Sequence, residues 1–190
     1  MTEARAWPAP AKLNLLLRVI GRRPDGYHLL QTVFQFIDLC DQLYFRVRPD
    51  AELHRLNAVP GVAADEDLVM RAARLLQAET GCKLGADIRV EKRIPMGGGL
   101  GGGSSDAATT LVALNRLWAC GLDNAHLMRL GLQLGADVPI FIHGHAAWAE
   151  GVGERLSDIE PVTPVYLLLA PAEHVDTGSV FQDPELTRNS

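Results

Sequence analysis

Hydrophobic and polar residues alternate through the first quarter of the chain, which is typical of β-strands whose two faces meet different surroundings. The alternation predicts strands over residues 13–20 and 29–39. The glycine, proline and aspartate between them predict a turn, so we expect a hairpin. A third strand is predicted over residues 43–47, where we expect Arg46 and the following Arg48 to face solvent.

Helical spacing of apolar residues begins only after this cluster of strands. Helices are predicted from Asp65 to Gly81, from Ser104 to about Gly121, and from Asp123 or Asn124 to Gly135. Short apolar runs predict further strands over residues 88–94, 146–150 and 165–170. Because strands come first and helices follow, the predicted fold class is α+β, with a mixed or antiparallel sheet and helices packed on one face.

A glycine-rich loop lies between the strand predicted over residues 88–94 and the helix that follows it. Six of the seven residues 97–103 are glycine. Such a loop lets backbone N–H groups surround an anion, and the positive end of the helix dipole faces the same point. Ser104, Ser105 and Asp106 can cap the helix and offer hydroxyls. The loop therefore predicts a phosphate-chain site. A flexible linker is the weaker alternative, because ordered elements flank the run.

Composition and charge indicate which partners the protein can have and in which compartment it works. The chain has 190 residues, of which 47% are hydrophobic and 22% charged, and a net charge of −5. No run of Lys and Arg is longer than two, which argues against a nucleic-acid partner. Three cysteines without C-x-x-C spacing indicate reduced thiols rather than disulfides or zinc. With no stretch long and apolar enough for a membrane span or a signal peptide, we expect a cytoplasmic protein with no membrane partner.

Lys12 and Asp137 are candidates for the charged groups that phosphoryl transfer needs beside a phosphate loop. The loop is not a Walker A motif, because no lysine follows its last glycine, so a nucleotide's lysine must come from elsewhere. Strand alternation puts Lys12 and Asn14 on one face. Taken alone, Lys12 is also typical of a lysine on an edge strand, where its charge discourages aggregation. Asp137 alone is equally typical of a cap or turn before Pro139.

The turn at residues 25–28 combines an aromatic ring with an imidazole, Tyr27 beside His28. Such a pair can hold a ring-bearing ligand by stacking and hydrogen bonds. From these residues alone, a hairpin turn with incidental aromatic residues is the better explanation of the pattern.

Four segments, taken together and in this order, resemble the GHMP kinase superfamily. They are residues 10–15, 25–28, 95–105 and 135–139, and the match extends from Trp7 to about Asn189, including residues 144–147 and 181–186. The glycine loop alone indicates only the superfamily. The lysine strand with the Asp-Gly-Tyr-His turn is most similar to the members that phosphorylate a cytidine diphosphate-linked methylerythritol in the non-mevalonate isoprenoid pathway.

The resemblance implies transfer of the γ-phosphoryl group of ATP to the 2-hydroxyl of the erythritol moiety. It makes Asp137 the base and Lys12 its cationic partner. Mg²⁺ accompanies ATP, and no protein ligand is assigned to the ion. The residues implied to bind substrate are Asn14, Tyr27, His28 and Phe181, the last stacking on the base. The residues implied to carry the ATP phosphates are Pro95, Met96, Gly97, Gly98, Gly99, Leu100, Gly101, Gly102, Gly103, Ser104 and Ser105.

The resemblance also implies a division of the chain. We expect residues 1–165 to form the N-terminal ATP-binding domain, and residues 166–190 to begin a C-terminal substrate-side domain that is truncated. Two alternatives stay open: another small-molecule kinase of the superfamily, or a nucleotide-binding module without turnover. The sequence predicts no oligomeric state.

Overall fold

The computed structural model of the chain describes residues 5–24, 26, 28–58, 62–63, 66–169, 180, 183 and 186–187. In that part of the chain there are six strands and four helices. The strands are β1 (Trp7–Arg22), β2 (His28–Arg48), β3 (Leu53–Arg55), β4 (Gly85–Glu91), β5 (Ala147–Gly151) and β6 (Arg155–Asp158). The helices are α1 (Leu68–Thr80), α2 (Gly102–Leu117), α3 (Asn124–Leu134) and α4 (Val138–His143).

All six strands belong to one sheet, built around the 21-residue strand β2. β1 pairs antiparallel along one edge of β2, from Arg22 opposite His28 to Trp7 opposite Leu43. The other edge is shared by β5 and β4, both antiparallel to β2. β3 runs parallel to β4, and β6 is antiparallel to β5. The sheet is therefore mixed, as predicted.

The helices pack on one face of the sheet because strand alternation makes that face apolar. Leu43 and Phe45 of β2 and Ile88 and Val90 of β4 are buried in one core with α1, α2 and α3. The alternate positions of the same strands carry charged residues on the opposite face. The predicted α+β class and its one-sided helices are confirmed.

Helix boundaries follow their predicted signals closely. The Asp67 side chain caps α1 by accepting from the Val69 and Met70 N–H groups, and Gly81 ends the helix with φ 65°. Asp123 caps α3 by accepting from the His126 N–H at 2.7 Å. Among the described residues, no helix is both long and apolar enough to cross a bilayer.

Three elements differ from the predictions. The strands predicted over 29–39 and 43–47 are one continuous strand, β2, because β1 pairs across the interval between them. No element is predicted directly after Asp137, where the structure has helix α4, which Pro139 can open because proline is tolerated in a first turn. No strand is predicted between residues 150 and 165 either, where the structure has β6.

The strand predicted over 165–170 is wrong for its described residues. Residues 161–169 have no regular secondary structure, and Val165, Leu167 and Leu169 are largely exposed. Their apolar pattern had no described neighbour strand to pair with. Part of this stretch, residues 163–166 and 168, instead lines a cavity of about 560 Å³ together with residues 35–39 of β2.

Candidate active site

The glycine loop adopts conformations that only glycine takes easily. Gly97, Gly99 and Gly101 have φ values of 76°, 68° and 73°, in the left-handed region that side chains disfavour. Leu100, the one residue of the run with a side chain, is buried with Ala11. Its carbonyl accepts a hydrogen bond of 3.0 Å from the Lys12 N–H. The loop is thus anchored to β1 at its centre while its glycine backbone stays accessible.

Helix α2 begins two residues earlier than predicted, at Gly102. Its N-cap is Gly101, with no side-chain cap hydrogen bond, so the predicted capping by Ser104, Ser105 or Asp106 is wrong. These three residues lie inside the helix, past the N-cap position from which a side chain can act as a cap. The first N–H groups of α2 are therefore not satisfied by a cap, as an anion site at a helix N-terminus requires.

A cavity of about 440 Å³ lies between the loop and the start of α1. One wall consists of Pro95 to Ser104, which includes every residue implied to carry phosphates except Ser105. The other wall contains Arg55, Leu68 and Val69. Ser105 is fully buried, and its Oγ has no hydrogen-bond partner. The cavity therefore joins a polar backbone cradle to an apolar wall, a combination common in nucleotide sites.

Lys12 and Asp137 lie together at the end of the loop, although 125 positions separate them in the sequence. Lys12 Nζ is 3.3 Å from Asp137 Oδ2 and donates a 2.5 Å hydrogen bond to Asn14 Oδ1. The Asn14 amide in turn donates to Thr32 Oγ1 at 2.6 Å. The Lys12 ammonium also lies 5.5 Å from the Phe34 ring. The row of side chains fixes the ammonium in place.

The alternative roles of these two residues do not fit the structure. Lys12 is only 5% exposed, so it is not the solvated lysine of a protected edge strand. Asp137 occupies the N-cap position of α4 but makes no side-chain cap hydrogen bond. Its side chain is 38% exposed, so the carboxylate can be reached from outside.

A second lysine near the end of the loop, Lys92, is half-buried, with a side chain that is 21% exposed. Its Nζ is 2.5 Å from Asp41 Oδ2 and 2.8 Å from Asp106 Oδ2. Burial raises the pKa of Asp106 to about 7, against the opposing effect of the Lys92 charge. The Lys92 pKa is itself raised by its two carboxylate partners, which outweigh its own burial. One Asp106 oxygen, Oδ1, has no partner.

Comparison with known proteins agrees with this geometry. The family model described as "GHMP kinases N terminal domain" matches residues 67–145, which include the loop and Asp137. A Ralstonia nicotianae protein named 4-diphosphocytidyl-2-C-methyl-D-erythritol kinase is 64% identical over the whole chain, which covers 65% of that protein. A Pseudomonas syringae pv. tomato protein of the same name is 58% identical, and the chain covers 68% of it.

The chain belongs to the 4-diphosphocytidyl-2-C-methyl-D-erythritol kinase family of GHMP kinases. A solved structure entitled "Crystal structure of 4-(cytidine 5'-diphospho)-2C-methyl-D-erythritol kinase" is 43% identical, with a TM-score of 0.75. The match covers 95% of this chain and 65% of that one. The chain thus spans about 65% of the length of the first kinases it matches.

The substrate-side residues implied by the family resemblance are only partly described. His28 is the first residue of β2, opposite Arg22, and Asn14 lies next to Lys12. Tyr27 and Phe181 lie outside the described residues. The structure therefore brings together Lys12, Asn14, Asp137 and the loop, and it places His28 at the far end of the β1–β2 pair.

Sequence reasoning missed Lys92 and Asp41 and gave Asp106 only a capping role. A signal for Lys92 existed: Ile88 and Val90 are buried, so strand alternation carried on to position 92 puts a lysine on the same side of the strand shortly before the loop. No comparable signal marks Asp41. Its importance depends on contacts with residues more than 50 positions away.

Proposed function

We propose that the protein transfers the γ-phosphoryl group of ATP to the 2-hydroxyl of 4-diphosphocytidyl-2-C-methyl-D-erythritol, giving the 2-phosphate and ADP. The relatives' names support the substrate and the reaction. The observation that carries the proposal for this chain is the double attachment of Lys12. Its N–H donates to the Leu100 carbonyl of the loop, and its ammonium pairs with Asp137.

The loop and the start of α2 would hold the triphosphate through backbone N–H groups. Between residues 97 and 103 the absence of side chains lets a phosphate approach the backbone closely, and the helix dipole favours its charge. A Cβ built on Gly101 would lie 3.2 Å from Lys12 Cε, so the end of the loop and the lysine are in contact. Phosphates held by the loop would therefore lie near the ammonium.

Asp137 would accept the proton of the attacking hydroxyl. The hydroxyl oxygen forms the new bond to the γ-phosphorus, while the bond from that phosphorus to the β–γ bridging oxygen breaks and ADP leaves. Lys12 stabilises the negative charge that develops on the transferring phosphoryl group. Asn14 and Phe34 fix the ammonium, so no reorganisation is needed during the transfer.

Mg²⁺ would reach the site as the MgATP complex and neutralise charge between the β- and γ-phosphates. Within the described part of the chain, no three His, Cys, Asp or Glu side chains cluster as a metal site. In this proposal the ion is held mainly by the phosphate oxygens of the nucleotide. We further propose that residues 1–165 form the ATP-binding domain and that Tyr27, His28 and Phe181 contact the cytidine end of the substrate.

Phosphate transfer by the full-length protein tests the proposal. With MgATP and the cytidylyl substrate, we expect ADP and the 2-phosphate in equal amounts, measured by coupled ADP release and by ³¹P NMR. Transfer to mevalonate or homoserine instead would assign another kinase of the superfamily. ATP binding without transfer to any of the three would leave a binding module and reject the kinase.

A further inference from the structure

Both ends of the glycine loop are connected to one aspartate of the central strand. Asp41 Oδ1 accepts hydrogen bonds from the N–H groups of Arg93 and Ile94, at 2.5 and 2.9 Å, directly before the loop. Asp41 Oδ2 binds Lys92 Nζ. Lys92 Nζ also binds Oδ2 of Asp106, which lies in α2 shortly after the loop. Asp41 and Lys92 therefore connect the residues before the loop with the helix after it.

Asp41 itself lies out of reach of a ligand in the cavity. Its side chain is fully buried, and it is not among the residues that line the cavity, whereas Lys92 and Asp106 are. The loop is packed tightly on these contacts. A Cβ built on Gly102 would lie 3.1 Å from Ile94 Cγ2 and 3.3 Å from Lys92 Nζ. A displacement of Lys92 would therefore displace the end of the loop.

We propose that Asp41 is a positioning residue that holds the glycine loop in its nucleotide-binding conformation through Lys92 and Asp106. The inference rests on the proposed binding of ATP at this loop. A buried carboxylate that joins strand β2 to both loop ends fixes the backbone N–H groups before the nucleotide arrives, which lowers the ordering cost of binding. The contribution acts on nucleotide affinity and not on proton transfer at Asp137.

Asp41→Asn in the full-length protein tests the proposal. Asparagine keeps the shape and one oxygen for the backbone N–H groups, but it loses the charge that binds Lys92. We expect the Kd for MgADP, measured by calorimetry, to rise about tenfold, as for the loss of one charge-assisted contact. Amide hydrogen exchange should accelerate in residues 97–103 and stay unchanged in α3. The kcat at saturating ATP should stay within about twofold of wild type.

Asp87→Asn is the matched control. Asp87 is also buried, at 2% exposed, and it is ion-paired with Arg46 and Arg48, but on the sheet face opposite the helices. We expect this variant to bind MgADP like wild type. If Asp41→Asn binds MgADP like wild type, or if both variants weaken binding equally, the positioning role is rejected.

Asp106→Asn is the second variant, should Asp41→Asn fail to fold. It keeps the Asp41–Lys92 pair and removes only the connection to α2, so exchange should accelerate at residues 101–103 more than at 97–99. Unchanged exchange there would overturn the proposal. Neither readout needs phosphate transfer. If the wild type binds MgADP but transfers nothing, the kinase proposal fails while the positioning role stands or falls on these measurements. If the wild type binds no MgADP, both are rejected.

Discussion

Lys12, which is buried, and Lys92, which is half-buried, both lie at the same end of the loop, and each is paired with aspartate. Consecutive glycines face them: a Cβ on Gly101 would approach Lys12, and one on Gly102 would approach Lys92. The carboxylates differ. Asp137, beside Lys12, has a side chain that is 38% exposed, whereas the partners of Lys92 are at most 6% exposed.

This difference separates a pair that can react from a cluster that can only hold structure. An accessible carboxylate can take a proton from a substrate hydroxyl, and its lysine steadies the charge that results. Asp41, which is fully buried and does not line the cavity, cannot reach a substrate. It repays the cost of its burial only by satisfying neighbouring groups, here the lysine and two backbone N–H groups. The predictions below are ordered by the size of the expected effect.

Asp137→Asn should remove the proposed general base of the Lys12–Asp137 pair. Because the amide cannot accept the hydroxyl proton, we expect kcat to fall by about 10²- to 10⁴-fold. MgADP affinity should change little, since Asp137 does not line the loop cavity. Steady-state kinetics and calorimetry measure the two quantities, and the melting temperature controls for folding. A kcat within a few-fold of wild type would remove Asp137 from the chemistry.

Asp106→Asn should change how stability depends on pH. The folded-state pKa of about 7 lies above the unfolded value of about 3.9, so the folded state binds this proton more tightly. The group therefore costs stability progressively as pH rises from about 4 to about 7, by on the order of 2–4 kcal/mol. Asparagine removes this dependence. In denaturant unfolding between pH 4 and 8, the free energy of unfolding of the variant should increase relative to that of wild type as pH rises.

Asp87→Asn should show the opposite slope and so acts as the control for Asp106. Hydrogen bonding to Arg46 lowers the Asp87 pKa below its usual value. A carboxyl with a lowered folded-state pKa adds stability above its unfolded pKa of about 3.9, and that stability is lost as pH falls through the folded-state pKa. Wild type should therefore exceed this variant at neutral pH, and the gap should close in acid. If the stability difference from wild type depended on pH in the same way for both variants, the expected contrast between Asp106 and Asp87 would be wrong.

Gly101→Ala and Gly102→Ala compare the two lysine sides directly. Gly101 has φ 73°, and its added methyl would lie 2.7 Å from Phe141 Cζ, so we expect a loss of about 1–3 kcal/mol. Gly102 is helical, and its nearest neighbour would be at 3.1 Å, so the loss should be about 1 kcal/mol or less. Denaturant midpoints measure both. A larger loss for Gly102 would reverse the expected order.

Local patterns predicted much of the fold because local physics decides those features. Alternation located parts of β1, β2, β4 and β5, but it did not predict the short strands β3 and β6. Asp67, Gly81 and Asp123 act as the helix boundary residues that their chemistry suggests. The predictions failed where pairing or packing decides: β2 is continuous, α2 starts at Gly102, and the apolar run after Pro164 has no described strand partner.

The sequence by itself predicted a phosphate loop, because a run of glycines before a helix has few other structural uses, and it determined the family through the order of four motifs. It also supplied Lys12 and Asp137 as separate candidates, each with an ordinary alternative. Only the tertiary structure shows that the two residues form a pair, because β1 and the start of α4 bring their side chains within 3.3 Å of each other at the end of the loop. The cluster of Asp41, Lys92 and Asp106 is likewise a product of tertiary packing, since burial and proximity between distant positions have no local signature.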